Sequence, residues 1–247
     1  MTETKRIPKH ERQKRILAKL RASNDLWIPG LVTSLDDIRH MHQEGLAERR
    51  AVAASVSPEP GGAEPKAVLA QRQKLAALAM RFIRPHMVIM IDGGATTLDL
   101  ARRLAADALS ITVITNSVPA AAVMGANPTI NVTFCPGRYD SLRGSVDGPD
   151  TIRFLDRFRV NLAIFGACGI TADGPNSSRS DTVPIKQAML RRSEEHILLL
   201  DHTKFGRRHP RLVCPLGDID RLICDEAPDG KLAGALRGAN VDVHCYE

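Results

Sequence analysis

Six consecutive residues, Asp92-Gly93-Gly94-Ala95-Thr96-Thr97, combine what an anion-binding turn requires. They follow an apolar run, VIMID at 88–92, and lead into a stretch predicted as a helix from Leu98 to Ala106. Glycines let the backbone approach a ligand closely, free N–H groups and the helix dipole favour an anion, and two hydroxyls can donate to phosphate oxygens. Other apolar runs end in comparably polar turns: Thr115-Asn116-Ser117, Pro136-Gly137-Arg138, Gly166-Ala167-Cys168-Gly169 and Asp201-His202-Thr203-Lys204. Any one of these is a common way to leave a strand. Five of them, two carrying a cation, converge on one edge if the strands are parallel, and ligands of open α/β sheets bind at the carboxyl ends of strands.

The elements that must position these turns are legible from hydrophobic pattern. ITVIT (111–115), INVTF (130–134), LAIFG (162–166), ILLLD (197–201) and RLICD (221–225) read as buried strands beside 88–92. Helices are predicted between most of them, at 66–83, 118–125, 148–157 and 183–193. Continuous apolar strands alternating with helices imply an α/β domain with a mainly parallel sheet covered on both faces.

The N-terminal part reads differently. Lys5, Arg6, Lys9, Arg12, Lys14, Arg15, Lys19 and Arg21 face only Glu3 and Glu11, a net +6 that equals the excess of the whole 247-residue chain. A basic arm and first helix on a near-neutral body is the electrostatic footprint of a protein that meets phosphates with one end. Ile16, Leu17 and Leu20 have helical spacing, and a second helix is predicted at about 33–44, with Thr33 or Ser34 as N-cap and Gly45 as C-cap. SVSPEPGGAEP at 55–65 reads as a linker, which sets the organisation as 1–54, 55–65 and 66–247. No run of eighteen apolar residues suggests a membrane span, and the charged start carries no apolar segment of a secretory signal. Five cysteines without a CxxC pair suit reduced thiols in a cytoplasm, and no metal site or cofactor is expected.

"IMIDGGATTLDLARRL", "ITVITNS", "PGRY", "AIFGACGI", "IKQAM", "LLLDHTKFGRR" and "PLGDIDRLICDEAP" resemble, in order and spacing, the C-terminal sensor domain of DeoR-type bacterial transcription regulators. The resemblance covers roughly 66–247 and implies a fold similar to ribose-5-phosphate isomerase and the coenzyme A transferases. It implies a repressor of a carbohydrate-utilisation operon, relieved by a phosphorylated sugar or polyol, in a homo-oligomer. Carried over residue by residue, Asp92, Gly93, Gly94, Ala95, Thr96 and Thr97 hold the phosphate, and Thr115, Asn116 and Ser117 line the site. Gly137, Gly166 and Asp181 belong to the same effector-binding set; Arg138, Lys186 and Lys204 supply positive charge; Asp201 orients Lys204. Of the acidic residues that relatives carry before this lysine, only Asp181 is present, within Ser180-Asp181-Thr182-Val183-Pro184. Cys168 stands where many relatives have Asp or Ser and is expected as a small buried turn residue, and His202 as a solvated one.

"ERQKRILAKL" and "EGLAERR" resemble the first helix and wing start of the family's winged helix-turn-helix, but the segment between them is about eight residues shorter than the family pattern. The recognition-helix start then reads Thr33, Ser34, Leu35, Asp36, Asp37, and acidic side chains repel phosphate. DNA contacts are expected from Lys14, Arg15, Thr33, Ser34, Arg39, His40, Arg49 and Arg50. Three readings compete for this module: weakened DNA binding, a sensor that has lost its operator, or a shortened motif in another register. An isomerase-like enzyme on the same fold is the rival for the whole chain. It needs a carboxylate base, for which only Asp92, Asp181 and Asp201 are candidates.

Overall fold

The computed structural model describes residues 66–141 and 143–246. The winged-helix module expected at 1–54, the linker expected at 55–65 and the expected DNA contacts Lys14, Arg15, Thr33, Ser34, Arg39, His40, Arg49 and Arg50 lie outside the described residues.

The chain after the linker forms helices α1 (Lys66–Ala79), α2 (Ala95–Ala105), α3 (Val118–Met124), α4 (Pro149–Leu155), α5 (Thr182–Arg191) and α6 (Gly230–Gly238). Seven strands make the main sheet: β1 (Val88–Ile91), β2 (Ile111–Thr115), β3 (Ile130–Phe134), β6 (Val160–Phe165), β9 (Ser193–Leu199), β11 (Arg221–Cys224) and β12 (Asp242–Cys245). Its order is β12-β11-β9-β6-β1-β2-β3, and every pairing is parallel. The carboxyl ends of these strands therefore share one edge.

Alternation along β1 explains how one strand serves two faces. Ile89 and Ile91 enter a core with Leu75 and Ala79 of α1, Leu100 and Leu104 of α2, and Met124 of α3. Met90 points the other way, into a core with Leu155 of α4 and Ile185 and Met189 of α5. Burying each such side chain contributes about 1.5–3 kcal/mol, which is why β1 carries no polar face. A third core joins Leu198, Leu222 and Leu236, and so fastens α6 to the β9–β11 half of the sheet.

The expected strands and helices are present, with shifted ends. α2 starts at Ala95, three residues earlier than expected, because Gly94 is extended and takes the N-cap position (φ −176°, ψ 165°). β9 starts at Ser193 because its polar SEEH portion continues the ladder on β6, Val160 opposite Ser193. Helix α6, strand β12 and two small antiparallel sheets lie beyond the expected elements. β4 (Arg138–Asp140) pairs with β5 (Ser145–Asp147), while β8 (Gly174–Ser177) lies between β7 (Gly169–Thr171) and β10 (Arg211–Leu212). Pro136-Gly137-Arg138 is thus the approach to a hairpin that folds back over the sheet edge: Val146 N–H donates to the Asn116 carbonyl at 2.8 Å. Among the described residues no helix is long and apolar enough to cross a membrane.

Candidate functional site

The turn at 92–97 leaves β1 and opens α2. Its N-cap, Gly94, offers no side chain to the first N–H groups of the helix, and no cap hydrogen bond is made. The positive end of the helix dipole is therefore open where Gly94 and Ala95 are exposed. Gly93 is held by donating its N–H to Asn116 Oδ1 at 3.0 Å, and an added Cβ there would meet Ser145 Cβ at 3.1 Å. Thr97 is buried and donates its hydroxyl to the Gly94 carbonyl at 3.0 Å, stiffening the turn. Thr96 is buried beside it.

The residues at the end of β2 serve the turn as supports. Thr115 donates its hydroxyl to the Ile91 carbonyl at 2.7 Å, locking β2 to β1 one residue before Asp92. Asn116 bridges Gly93 and the Val146 carbonyl, the latter at 3.0 Å, and so ties the turn to the β4–β5 hairpin. Ser117 caps α3 by accepting from Ala120 N–H at 3.3 Å. These side chains, expected as ligand contacts, spend their hydrogen bonds on geometry.

Two lysines reach the edge from other elements, each with a carboxylate partner. Lys186, on α5, is buried and ion-paired with the equally buried Asp92. Lys204 lies in the turn after β9, its Nζ 2.9 Å from Asp201 Oδ2. Asp201 also accepts from Thr203 N–H at 3.2 Å. Burial works against its charge, but the Thr203 and Lys204 hydrogen bonds outweigh this and hold its carboxyl below the usual range. The expected orientation of Lys204 by Asp201 therefore matches this geometry.

A cluster that the sequence did not suggest surrounds the hairpin. Asp147 is buried and takes Arg138 Nε on Oδ1 at 3.0 Å, while its Oδ2 has no hydrogen-bond partner; the Arg143 guanidinium is 3.6 Å away. Arg143 also contacts Asp140 at 3.1 Å and Asp181 at 3.4 Å, and Arg179 joins Asp181 at 2.6 Å and Asp140 at 3.2 Å. The Arg179 hydrogen bond holds the Asp181 carboxyl below the ordinary value. Asp181, expected in the effector site as the one acidic residue present before Lys186, is thus engaged by two guanidinium groups. Arg138, expected as a loop cation, is the first residue of β4 and belongs to the same network.

Gly166 is half-buried, and a Cβ there would meet only the Leu199 carbonyl at 3.7 Å, so its site role is not forced by packing. Gly137 is different: φ is +154°, and a Cβ would fall 2.1 Å from Thr151 Oγ1. Cys168 is half-buried, not buried as expected. Its Sγ lies 3.6 Å from Ser178 Oγ and 3.8 Å from Ser177 Oγ. Burial pushes this thiol up, but hydrogen bonds from Ser178 and Ser177 and the Lys186 charge outweigh it, so the net shift is downward. His202, expected to be solvated, pairs through Nδ1 with buried Asp225 at the end of β11; its backbone N–H donates to Asp225 Oδ1 at 2.5 Å. Gln71 of α1 donates to the same carboxylate. Nothing in the spacing of residues 71, 202 and 225 could have announced that meeting.

Residues 68–226 match the family model described as the DeoR C terminal sensor domain. An uncharacterized HTH-type transcriptional regulator of Haemophilus influenzae is 27% identical over 98% of this chain and 98% of its own length. The HTH-type transcriptional repressor GlcR of Bacillus subtilis is 26% identical over 72% of this chain and 68% of its own. Among solved structures, ribose 5-phosphate isomerase A from Methanocaldococcus jannaschii is 18% identical with a TM-score of 0.40, covering 54% of this chain and 53% of that one.

Proposed function

This chain belongs to the DeoR C-terminal sensor-domain family and is a transcription regulator, and we propose that it is a repressor whose sheet edge takes up a phosphorylated sugar or polyol, which releases it from operator DNA. One observation carries the ligand reading: the uncapped N-terminus of α2 opens beside a buried lysine, Lys186, at an edge that Lys204 also reaches. A phosphate seated there accepts from free N–H groups, gains from the helix dipole and competes with Asp201 for Lys204. The β4–β5 hairpin, with Arg138, Arg143 and Arg179 balanced by Asp140, Asp147 and Asp181, supplies donors and acceptors suited to a hydroxylated chain.

Ion pairing favours this over the isomerase reading. Asp92, Asp181 and Asp201 all pair with cations at close range, and Asp181 and Asp201, held in their charged form by those hydrogen bonds, are poor proton acceptors. The proposed DNA contacts are those of the N-terminal module: Lys14, Arg15, Thr33, Ser34, Arg39, His40, Arg49 and Arg50. Release follows if the liganded homo-oligomer holds these heads at a spacing that no longer fits two half-sites.

A thermal-shift series with phosphorylated sugars and polyols tests the sensor. An effector at 100 times its dissociation constant raises stability by about 2.7 kcal/mol. The same compound must then lift protection of operator DNA in a footprint. Stabilisation only by non-phosphorylated sugars, or isomerisation of the stabilising compound, refutes the proposal.

A further inference from the structure

Helix α1 is the first element after the linker, and two adjacent side chains fasten it to both halves of the anion-binding edge. Arg72 Nε donates to Asp99 Oδ2 at 2.8 Å, with side chains only 11% and 1% exposed. Asp99 lies one helical turn beyond Ala95 on α2, the helix whose N-terminus the anion would meet. Gln71 donates to buried Asp225 and lies 3.3 Å from His202 Nδ1. His202 sits between Asp201 and Lys204 in the second turn. The helix opened by the turn at 92–97 and the turn at 201–204 follow strands on opposite sides of β6, yet each has a polar contact to α1, at Arg72 and Gln71 respectively.

We infer that α1 reports occupancy of the edge to the chain that precedes it, with Gln71 and Arg72 as the two positioning contacts. The inference rests on the phosphate reading above. An anion at the α2 N-terminus acts along the helix that Asp99 belongs to. An anion that draws Lys204 from Asp201 shifts the short 3-10 turn at 202–204, whose N-cap is Asp201, and holds it in a new position against the edge. His202 moves with that turn, and Gln71 is against it. Neither residue needs to touch the ligand. Differential contacts of this kind couple sites by roughly 5- to 150-fold in affinity.

The molecule carries its own reporter. Trp27 is the single tryptophan and lies in the N-terminal module. In the full-length wild type, titration with inorganic phosphate, and separately with glucitol 6-phosphate, is expected to slow amide exchange in 92–104 and 201–206. Exchange in 66–79 and Trp27 emission are expected to change with the same midpoint. In Gln71→Leu with Arg72→Leu, calorimetric affinity and protection of both turns persist, while the α1 and Trp27 responses disappear. Arg72→Lys, which keeps a cation beside Asp99, retains the response and separates loss of relay from loss of fold. A Trp27 response that survives the double substitution, or an α1 that stays silent in the wild type while both turns are protected, overturns the relay alone. Absence of protection at the turns with either probe overturns the phosphate site itself.

Discussion

Replacing Lys186 by methionine keeps most of the side-chain volume but removes the cation facing Asp92. The two side chains are 7% and 4% exposed, so water cannot take the place of the ammonium group without opening the α5–β1 packing. Breaking such a buried pair by deleting one partner costs about 3–5 kcal/mol, because the remaining charge is stranded. For a domain of this size, 1 kcal/mol lowers the melting temperature by roughly 2–4 °C, so a fall of about 6–20 °C is expected. Replacing both partners, Lys186→Met with Asp92→Leu, should restore most of that loss, since an apolar pair of similar volume is often neutral or better. The assay is thermal unfolding by circular dichroism on the wild type, both single variants and the double variant. Strong coupling is the expected result. Two independent losses that add, or a Lys186→Met melting point within a degree or so of wild type, would mean that the pair is not buried as described. All three variants should also lose stabilisation by phosphate esters, which ties the fold measurement to the site.

Other outcomes follow from the same geometry. The Asp225 hydrogen bond raises the His202 pKa above its ordinary 6.5, helped by the charges of Asp225, Glu226 and Asp201. The stability this adds is complete below 6.5 and lost as pH rises through the raised value; His202→Asn should flatten that part of the pH–stability curve, and an unchanged curve contradicts the pairing. Cys168, with its lowered pKa, should be the first thiol to react with iodoacetamide, ahead of buried Cys135 and Cys214, which burial pushes up to about 12. Peptide mapping that finds either of those labelled first rejects this. Gly137→Ala should destabilise by roughly 1–3 kcal/mol in urea, because its Cβ collides with Thr151 Oγ1 and the Asp147 carbonyl where φ is +154°.

What could be read from the sequence was what hydrophobic pattern encodes. VIMI, ITVIT and INVTF match β1, β2 and β3 with ends within one residue; in the first two, near-continuous burial leaves little polar sequence to blur the signal. The glycine-rich turn between β1 and α2 is equally readable, since Gly93-Gly94 followed by Ala95-Thr96-Thr97 is local chemistry. Contacts between distant residues were not. The Arg143–Asp181 and Gln71–Asp225 pairs are 38 and 154 residues apart, and each half alone is an ordinary polar residue. The hairpins escaped for a related reason: three-residue strands such as RYD and SVD are too short for a period of two to show. Thr115, Asn116 and Ser117 were noticed as a strand end, but only the fold reveals that they brace the neighbouring turn.

The strand order has a consequence for how the chain comes into being. β1 is laid down first, in the middle of the sheet. β2 and β3 then extend it on one side, and β6, β9, β11 and β12 extend it on the other, always outward in order of synthesis. Each new strand meets an edge already in existence, so the nascent domain grows without rearranging earlier pairs. The residues that would grip an anion are split across this sequence of events. Thr97 is in place long before Lys186 and Lys204 leave the ribosome, a delay of roughly 5–20 s for about a hundred residues. During that interval the basic N-terminal sequence is already made while the sheet edge behind it is incomplete. A newborn chain of this design acquires its basic N-terminal sequence first and the complete sheet edge last.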